Sequence, residues 1–255
     1  MFRLTREVRF AVNALPDDQL SHPASNAHGG FPSITGRGQY FQLQVTLQGE
    51  LHPQNSYLRN IKEIDDVVRQ VVIPSKNLLN PSAIFRSLRD AWPGGLLNAI
   101  TLRLSPYLSL TQLASEFPMH TRLSQKFEFS ASHRLHNDKL SDEENRQTYG
   151  KCNNPFGHGH NYEVQVTLRG KPNSNGLLVD VPAFEKIVRQ YAIENLDHRN
   201  LNVEVPEFKQ LIPSVENISM VVFGMLKNRF ADLGAELASV TVWETPKTWC
   251  EYTEG

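Results

Sequence analysis

Residues 150–170 read GKCNNPFGHGHNYEVQVTLRG, and residues 36–49 read GRGQYFQLQVTLQG. With Gly36 set against Gly157, an offset of 121, seven of fourteen positions agree. They are Gly36/Gly157, Gly38/Gly159, Gln44/Gln165, Val45/Val166, Thr46/Thr167, Leu47/Leu168 and Gly49/Gly170. The two phrases share a strand scaffold, but only the later one adds a cysteine and two histidines to it.

The echo extends in both directions and keeps its order. RLTREVRFAVNA from Arg3 matches RLSQKFEFSASH from Arg122, and IDDVVRQVVI from Ile64 matches FEKIVRQYAI from Phe184. AITLRLSP from Ala99 matches SVTVWETP from Ser239. Ordered self-similarity of this kind is the signature of a duplicated unit. The expected organisation is two domains, residues 1–118 and 119–255, joined within SLTQLASEFPMHT, residues 109–121.

Periodicity sets the fold class. KFEFSAS and NYEVQVTLRG alternate with period two, as half-buried strands do. VPAFEKIVRQYAIENL places Phe184, Ile187, Val188 and Tyr191 on one helical face, with Pro182 in its first turn. SVENISMVVFGMLKNRF repeats the helical pattern, with Ser214 as its N-cap. LASVTVWE closes the half as a further strand. Each half is therefore expected to be an α+β domain, with a sheet on one side and helices on the other.

Composition narrows the function classes. The 255 residues are 40% hydrophobic and 21% charged, with a net charge of −1, which suits a globular chain. That charge balance gives no general field for nucleic acid or an anionic membrane. No apolar run approaches the roughly 18 residues of a membrane span, and the N-terminus lacks the apolar core of a signal peptide. Two cysteines, Cys152 and Cys250, are too few for a disulfide framework. A reducing, cytoplasmic setting is the expectation.

The chemistry-bearing residues gather in the second half. His158 and His160, two apart on a strand, point to one face, and Gly157 and Gly159 let the backbone approach closely. His133, ending FSASH, offers a third imidazole from an adjacent strand. Three neutral imidazoles with a fourth position open suit a catalytic zinc. Cys152 stands in a polar loop beside Lys151, whose charge would favour a thiolate. The pair Asp197–His198 offers either a proton relay or a solvated helix-end turn. Glu244, in VTVWETP, is either an exposed strand charge or a carboxylate able to accept two N–H donors. Against these, the first half carries Ala14 for His133, Arg37 for His158, Gln39 for His160, Phe31 for Cys152 and Leu104 for Glu244. The Asp197–His198 pair has no counterpart there. Residues missing as a group are residues that worked as a group.

FSASHRL, LSDEENRQTYGKCNNPFGHGHNY, LDHRNLN, PSVENIS and VTVWET together resemble the 6-pyruvoyltetrahydropterin synthase family, over residues 122–255. The resemblance implies a T-fold, a four-stranded antiparallel sheet with two helices on one face, whose domains assemble into barrels. It implies conversion of 7,8-dihydroneopterin triphosphate to 6-pyruvoyltetrahydropterin with loss of triphosphate. By motif, His133, His158 and His160 would hold Zn2+, one per chain. Cys152, Asp197 and His198 would move protons, Glu244 would anchor the pterin ring, and Glu216 lies at a second pterin-contact segment. The related 6-carboxytetrahydropterin synthases of queuosine biosynthesis usually carry Cys-x3-His-x-His. Here the spacing is Cys152-x5-His158-x-His160, which favours the pyruvoyl product. A non-catalytic pterin-binding or scaffold protein is the alternative of another class, and it is the expected role of the stripped first half. The expected assembly is a homo-oligomer, a trimer or dimer of two-domain chains, with no nucleic-acid or membrane partner.

Overall fold

The structure, a computed structural model, describes residues 1–14, 26–75, 77–92, 95–173 and 176–254. The chain forms two compact units. One comprises Met1–Leu123 with Gly170–Leu178, the other Ser124–Arg169 with Val179–Gly255.

In the first unit the alternation of the N-terminal residues becomes β1 (Phe2–Asn13), paired antiparallel with β2 (Gly38–Gly49) from Phe2↔Gly49 to Asn13↔Gly38. Helix α1 (Ile61–Val67) starts at Asn60, whose side chain accepts from Lys62 N, and runs on into a π-helical turn, Val68–Val72. Helix α2 (Pro81–Ala91) begins at Asn80, with Pro81 in the first turn, where no N–H is needed. Strands β3 (Leu97–Arg103) and β4 (Leu108–Leu113) complete the sheet in the order β1-β2-β3-β4. The segment read from sequence as a joint therefore begins with a strand. Leu110 is buried with Leu108 and Thr111 only partly covered, and Thr101 pairs with Thr111 across β3 and β4. One sheet face meets the helices in a core that includes Val8, Phe10, Leu43, Val45, Ile64, Val68, Ile84, Leu88 and Ile100. Burying each such side chain contributes about 1.5–3 kcal/mol.

The second unit contains β5 (Thr121–His133), α3 (Asp142–Tyr149), β6 (His158–Gly170) and α4 (Val181–Val188). It continues with α5 (Glu194–Leu196), a two-residue β7 (Arg199–Asn200), α6 (Leu201–Glu204) and α7 (Val215–Leu226), then β8 (Ala235–Thr245) and β9 (Thr248–Tyr252). The strand order is β5-β6-β8-β9, with β7 parallel to β5. Side-chain pairs Ser124–Thr167 and Ser130–Asn161 run in opposite directions along β5 and β6, so these strands are antiparallel. Four main strands and the longer helices α4 and α7 match the expected plan, and α3 is an addition, set by a capping box between Ser141 and Glu144. Ser214 caps α7 as its sequence position predicts. In α4 the expected face holds through Phe184 and Val188. A π-helical turn at Arg189–Ile193 then shifts the phase, burying Ala192 and Ile193 rather than Tyr191. Neither unit's sheet closes on itself.

The units repeat small polar features as well as elements. Thr5–Thr46 and Ser124–Thr167 each join hydroxyls at 2.9 Å. Arg6 grips Asp65 from strand to helix, and Gln125 grips Glu185 in the same way. Asn60 caps α1 and Asp180 caps α4, and both helices run into a π-helical turn.

Candidate active site

The core-facing row of β5 ends Phe127, Phe129, Ala131, His133, because alternate strand residues share a face. The pairing that joins Ser124 to Thr167 and Ser130 to Asn161 brings His133 opposite His158. His160 follows two residues on, along the same face. Gly157 makes the approach possible, since its φ is +72° and a Cβ there would lie 2.9 Å from the His133 carbonyl oxygen.

Glu244, near the end of β8, completes a four-residue cluster whose ligand atoms all lie within 4.8 Å of one another. His133 Nε2 is 3.1 Å from His158 Nε2 and 3.3 Å from Glu244 Oε1, and His160 Nε2 is 3.5 Å from that same oxygen. His133 is fully buried, and its Nδ1 lies 2.6 Å from the Pro213 carbonyl. A carbonyl only accepts, so the proton sits on Nδ1 and the Nε2 lone pair faces the cluster. Burial pushes the His133 and His158 imidazoles below their ordinary range, and the neighbouring imidazoles push the same way. Two neutral rings thus turn nitrogens toward each other. His158 Nδ1 and His160 Nε2 are buried without a hydrogen-bond partner among the described residues. Nitrogen lone pairs converging with a carboxylate on one point suit a cation of the zinc type.

Cys152 lies in a short 3-10 turn, Gly150–Asn153, near enough to feel the charge of Glu244. Its carbonyl accepts from Leu135 N at 2.9 Å, and Asn153 Nδ2 donates to Leu135 O at 2.8 Å, so the turn is stitched to the segment following His133. The sequence reading of this thiol needs correction. Burial first, then the charge of Glu244, push it above its ordinary range, and exposed Lys151 does not reverse this.

The Asp197–His198 pair is formed, with Asp197 Oδ2 2.9 Å from His198 Nδ1. Asp197 Oδ1 accepts from Ser130 N at 2.8 Å, and this bond, followed by those with His198, holds the carboxyl below its usual range. His198 N donates to Ser130 O at 2.6 Å, and the residue adopts φ +58°, a left-handed conformation costly outside glycine. Its side chain is 82% exposed. A cavity of about 520 Å³ has Ser130, Ser132, His160, Asn161, His198 and Asn200 in its walls. No hydrogen bond or ion pair joins the pair to Cys152 among the described residues. Glu216 is exposed in the first turn of α7, whose approach segment supplies the Pro213 carbonyl. Sequence reasoning missed that carbonyl, and it gave Glu244 a place on the substrate rather than among the histidines.

A sequence profile described as 6-pyruvoyl tetrahydropterin synthase matches residues 122–255. The chain belongs to this family. A 6-pyruvoyl tetrahydrobiopterin synthase of Poecilia reticulata is 42% identical over 126 residues, 49% of this chain and 84% of that protein. The solved structure of Caenorhabditis elegans 6-pyruvoyl tetrahydropterin synthase is 39% identical, with a TM-score of 0.50 over 53% of this chain and 96% of that one. A 6-carboxy-5,6,7,8-tetrahydropterin synthase of Haemophilus influenzae is 25% identical, over 52% of this chain and 99% of its own length. Membership makes the chain a pterin synthase of the lyase class. The matched span holds every residue of the cluster and the Asp197–His198 pair. Among the described residues no helix is long and apolar enough to cross a membrane.

Proposed function

We propose that the second unit converts 7,8-dihydroneopterin triphosphate to 6-pyruvoyltetrahydropterin with release of triphosphate. The observation that carries this reading is the convergence of His133, His158 and His160, two of them held neutral, beside Glu244 and Cys152. His133, His158 and His160 would hold zinc, which when bound supplies Lewis-acid polarisation of the substrate's side-chain oxygens. Cys152 takes a proton from a side-chain carbon, and the Asp197–His198 pair delivers or removes protons at its neighbour. The isomerisation is internal, so no external oxidant or reductant enters, and triphosphate leaves with its bonding pair. Glu244 takes the amino-pyrimidine edge of the pterin and Glu216 lies at a second pterin contact.

Among the described residues no bond links Cys152 to the Asp197–His198 pair, and the pair is exposed, which supports a homo-oligomer, trimer or dimer, in which the pair of one chain serves the cysteine of another. The repeated bridges and caps support a tandem duplication, with residues 1–118 an architectural copy that fills a position in a barrel and residues 119–255 the catalytic domain. Ala14 N donates to Arg37 O at 2.8 Å, so these residues hold the places of His133 and His158 without their chemistry.

Anaerobic incubation with the triphosphate substrate, followed by product mass, tests the reading. A pyruvoyl-tetrahydropterin mass with free triphosphate is the expected result. A carboxy-tetrahydropterin mass with acetaldehyde moves the chain to the branch of its more distant relatives, against the longer Cys152–His158 loop. An inert zinc-loaded chain overturns the proposal.

A further inference from the structure

A second cavity of the catalytic unit, about 510 Å³ in volume, has Arg134, Lys139 and Lys209 in its wall. Its place is fixed by chain neighbours of the histidine cluster. Arg134 follows His133, Gly157 precedes His158, and Ile212 precedes Pro213, whose carbonyl holds the His133 ring; all three line the cavity. Consecutive Cα atoms are about 3.8 Å apart, so the wall begins one residue from two imidazoles of the cluster. Arg134 Nε donates to the carbonyl of Asn153 at 3.2 Å, one residue past Cys152. Asn200 lines both this cavity and the one that has His198 in its wall.

Elsewhere in the chain, cations meet carboxylates, as in Arg6–Asp65, Arg122–Glu116, Lys126–Glu163 and Lys227–Glu254. In this wall they do not. Among the described residues Arg134, Lys139 and Lys209 form no ion pair, and the Arg134 side chain makes no hydrogen bond besides the one to Asn153. Both Nη atoms of its guanidinium are therefore left as a fork, which fits phosphate oxygens. The single carboxylate of the wall, Asp138, is 99% exposed and lies 3.4 Å from His136 Nε2. Three fixed positive charges around one concave space repel each other and focus a positive field, although the whole chain carries only −1. An anion in that space offsets the repulsion.

We propose that this cavity binds the triphosphate arm of the substrate, with Arg134, Lys139 and Lys209 as its cationic partners. The inference rests on the substrate proposed above and gives its anionic end a place. The triphosphate terminates the same short side chain whose oxygens the cluster would polarise, so its receptor has to adjoin the histidines, as this cavity does.

The test is calorimetric titration of the full-length, zinc-loaded chain with inorganic triphosphate. Binding should weaken with added salt, and it should weaken about tenfold in the Lys139→Ala/Lys209→Ala double variant, the weight of two exposed charge contacts. Arg134→Gln should weaken it as well. His158→Ala, which lacks the metal, should still bind triphosphate. In the double variant KM for 7,8-dihydroneopterin triphosphate should rise by a similar factor, while competition by phosphate-free 7,8-dihydroneopterin stays the same. Unchanged triphosphate affinity in these variants would overturn the proposal. So would binding that vanishes in His158→Ala, which would make the metal the receptor, or an equal weakening of the phosphate-free pterin. A chain that binds triphosphate as expected but turns nothing over loses the proposed function and keeps the cavity. One that makes the pyruvoyl product with an unchanged KM in the double variant keeps the function and loses the cavity.

Discussion

The Nε2 atoms of His133 and His158 face each other across 3.1 Å, while the other nitrogen of His133 is held by the carbonyl of Pro213. With its proton on Nδ1, His133 can offer only a lone pair at Nε2, which is met either by a proton on His158 Nε2 or by a cation bound between the two rings. The same point is reached by His160 and Glu244. Replacing either partner strand's histidine should therefore release the cation and leave the sheet intact. For His158→Ala or His160→Ala, metal affinity should fall by more than about tenfold with an unchanged circular dichroism spectrum. Gln39→Ala, at the equivalent column of the first unit, should change neither.

Glu244 has a different expected signature, because its proposed work is on the ring. Glu244→Gln keeps the shape and one oxygen acceptor but loses the charge that a paired N–H edge prefers. The account predicts a KM raised about tenfold or more, with zinc retained. Loss of zinc with an unchanged KM for the remaining holoenzyme would make Glu244 a ligand instead.

In chelator, acid should weaken the fold through the cluster. Burial holds His133 and His158 below the ordinary histidine value of about 6.5. Between that value and the folded one, the unfolded chain binds protons that the folded chain refuses, so stability is lost as pH falls through this window. His160 and Glu244 face the same rings and shape the size of the effect. The thermal midpoint in EDTA should fall from about pH 7.5 towards about pH 5, and His158→Gln should flatten the slope. A flat profile in the unaltered chain would contradict the neutral state of these imidazoles.

Strand periodicity made much of this fold readable in advance, since β1, β2, β5 and β6 all alternate and the helices α4 and α7 start at cap residues. The histidines were readable for the same reason, being i and i+2 on one strand. What could not be read depends on contacts far apart in sequence. Pro213 lies 80 residues from the histidine it orients, and its carbonyl leaves no side-chain signal. The thiol of Cys152 answers to burial and to Glu244, neither of which the neighbouring Lys151 reveals. The π-helical turn in α4 shifts its buried face, which a strict 3.6-residue period cannot anticipate. Period two in Leu108–Leu113 was present but masked by its short span, so the strand that opens the 109–121 segment was not read.

The first unit offers a separation of stability from chemistry. Arg6 Nε and Nη2 each lie 2.8 Å from an Asp65 oxygen, and the Asp65 side chain is only 10% exposed. Arg6→Ala leaves that carboxylate largely buried without its main partner, at a cost of about 2 kcal/mol. The variant should unfold earlier in denaturant while kcat per bound zinc stays unchanged. A selective loss of kcat at full stability would give the first unit a part in catalysis that the architectural reading denies it.

The central claim is that one chain holds one metal centre, built wholly from the second unit. Metal content per chain, measured by mass spectrometry after zinc loading and exhaustive desalting, tests it most directly. The account predicts one zinc per chain, lost in His158→Ala. Two per chain would place a second centre outside the described cluster, and none would leave the converging imidazoles without the cation that explains them.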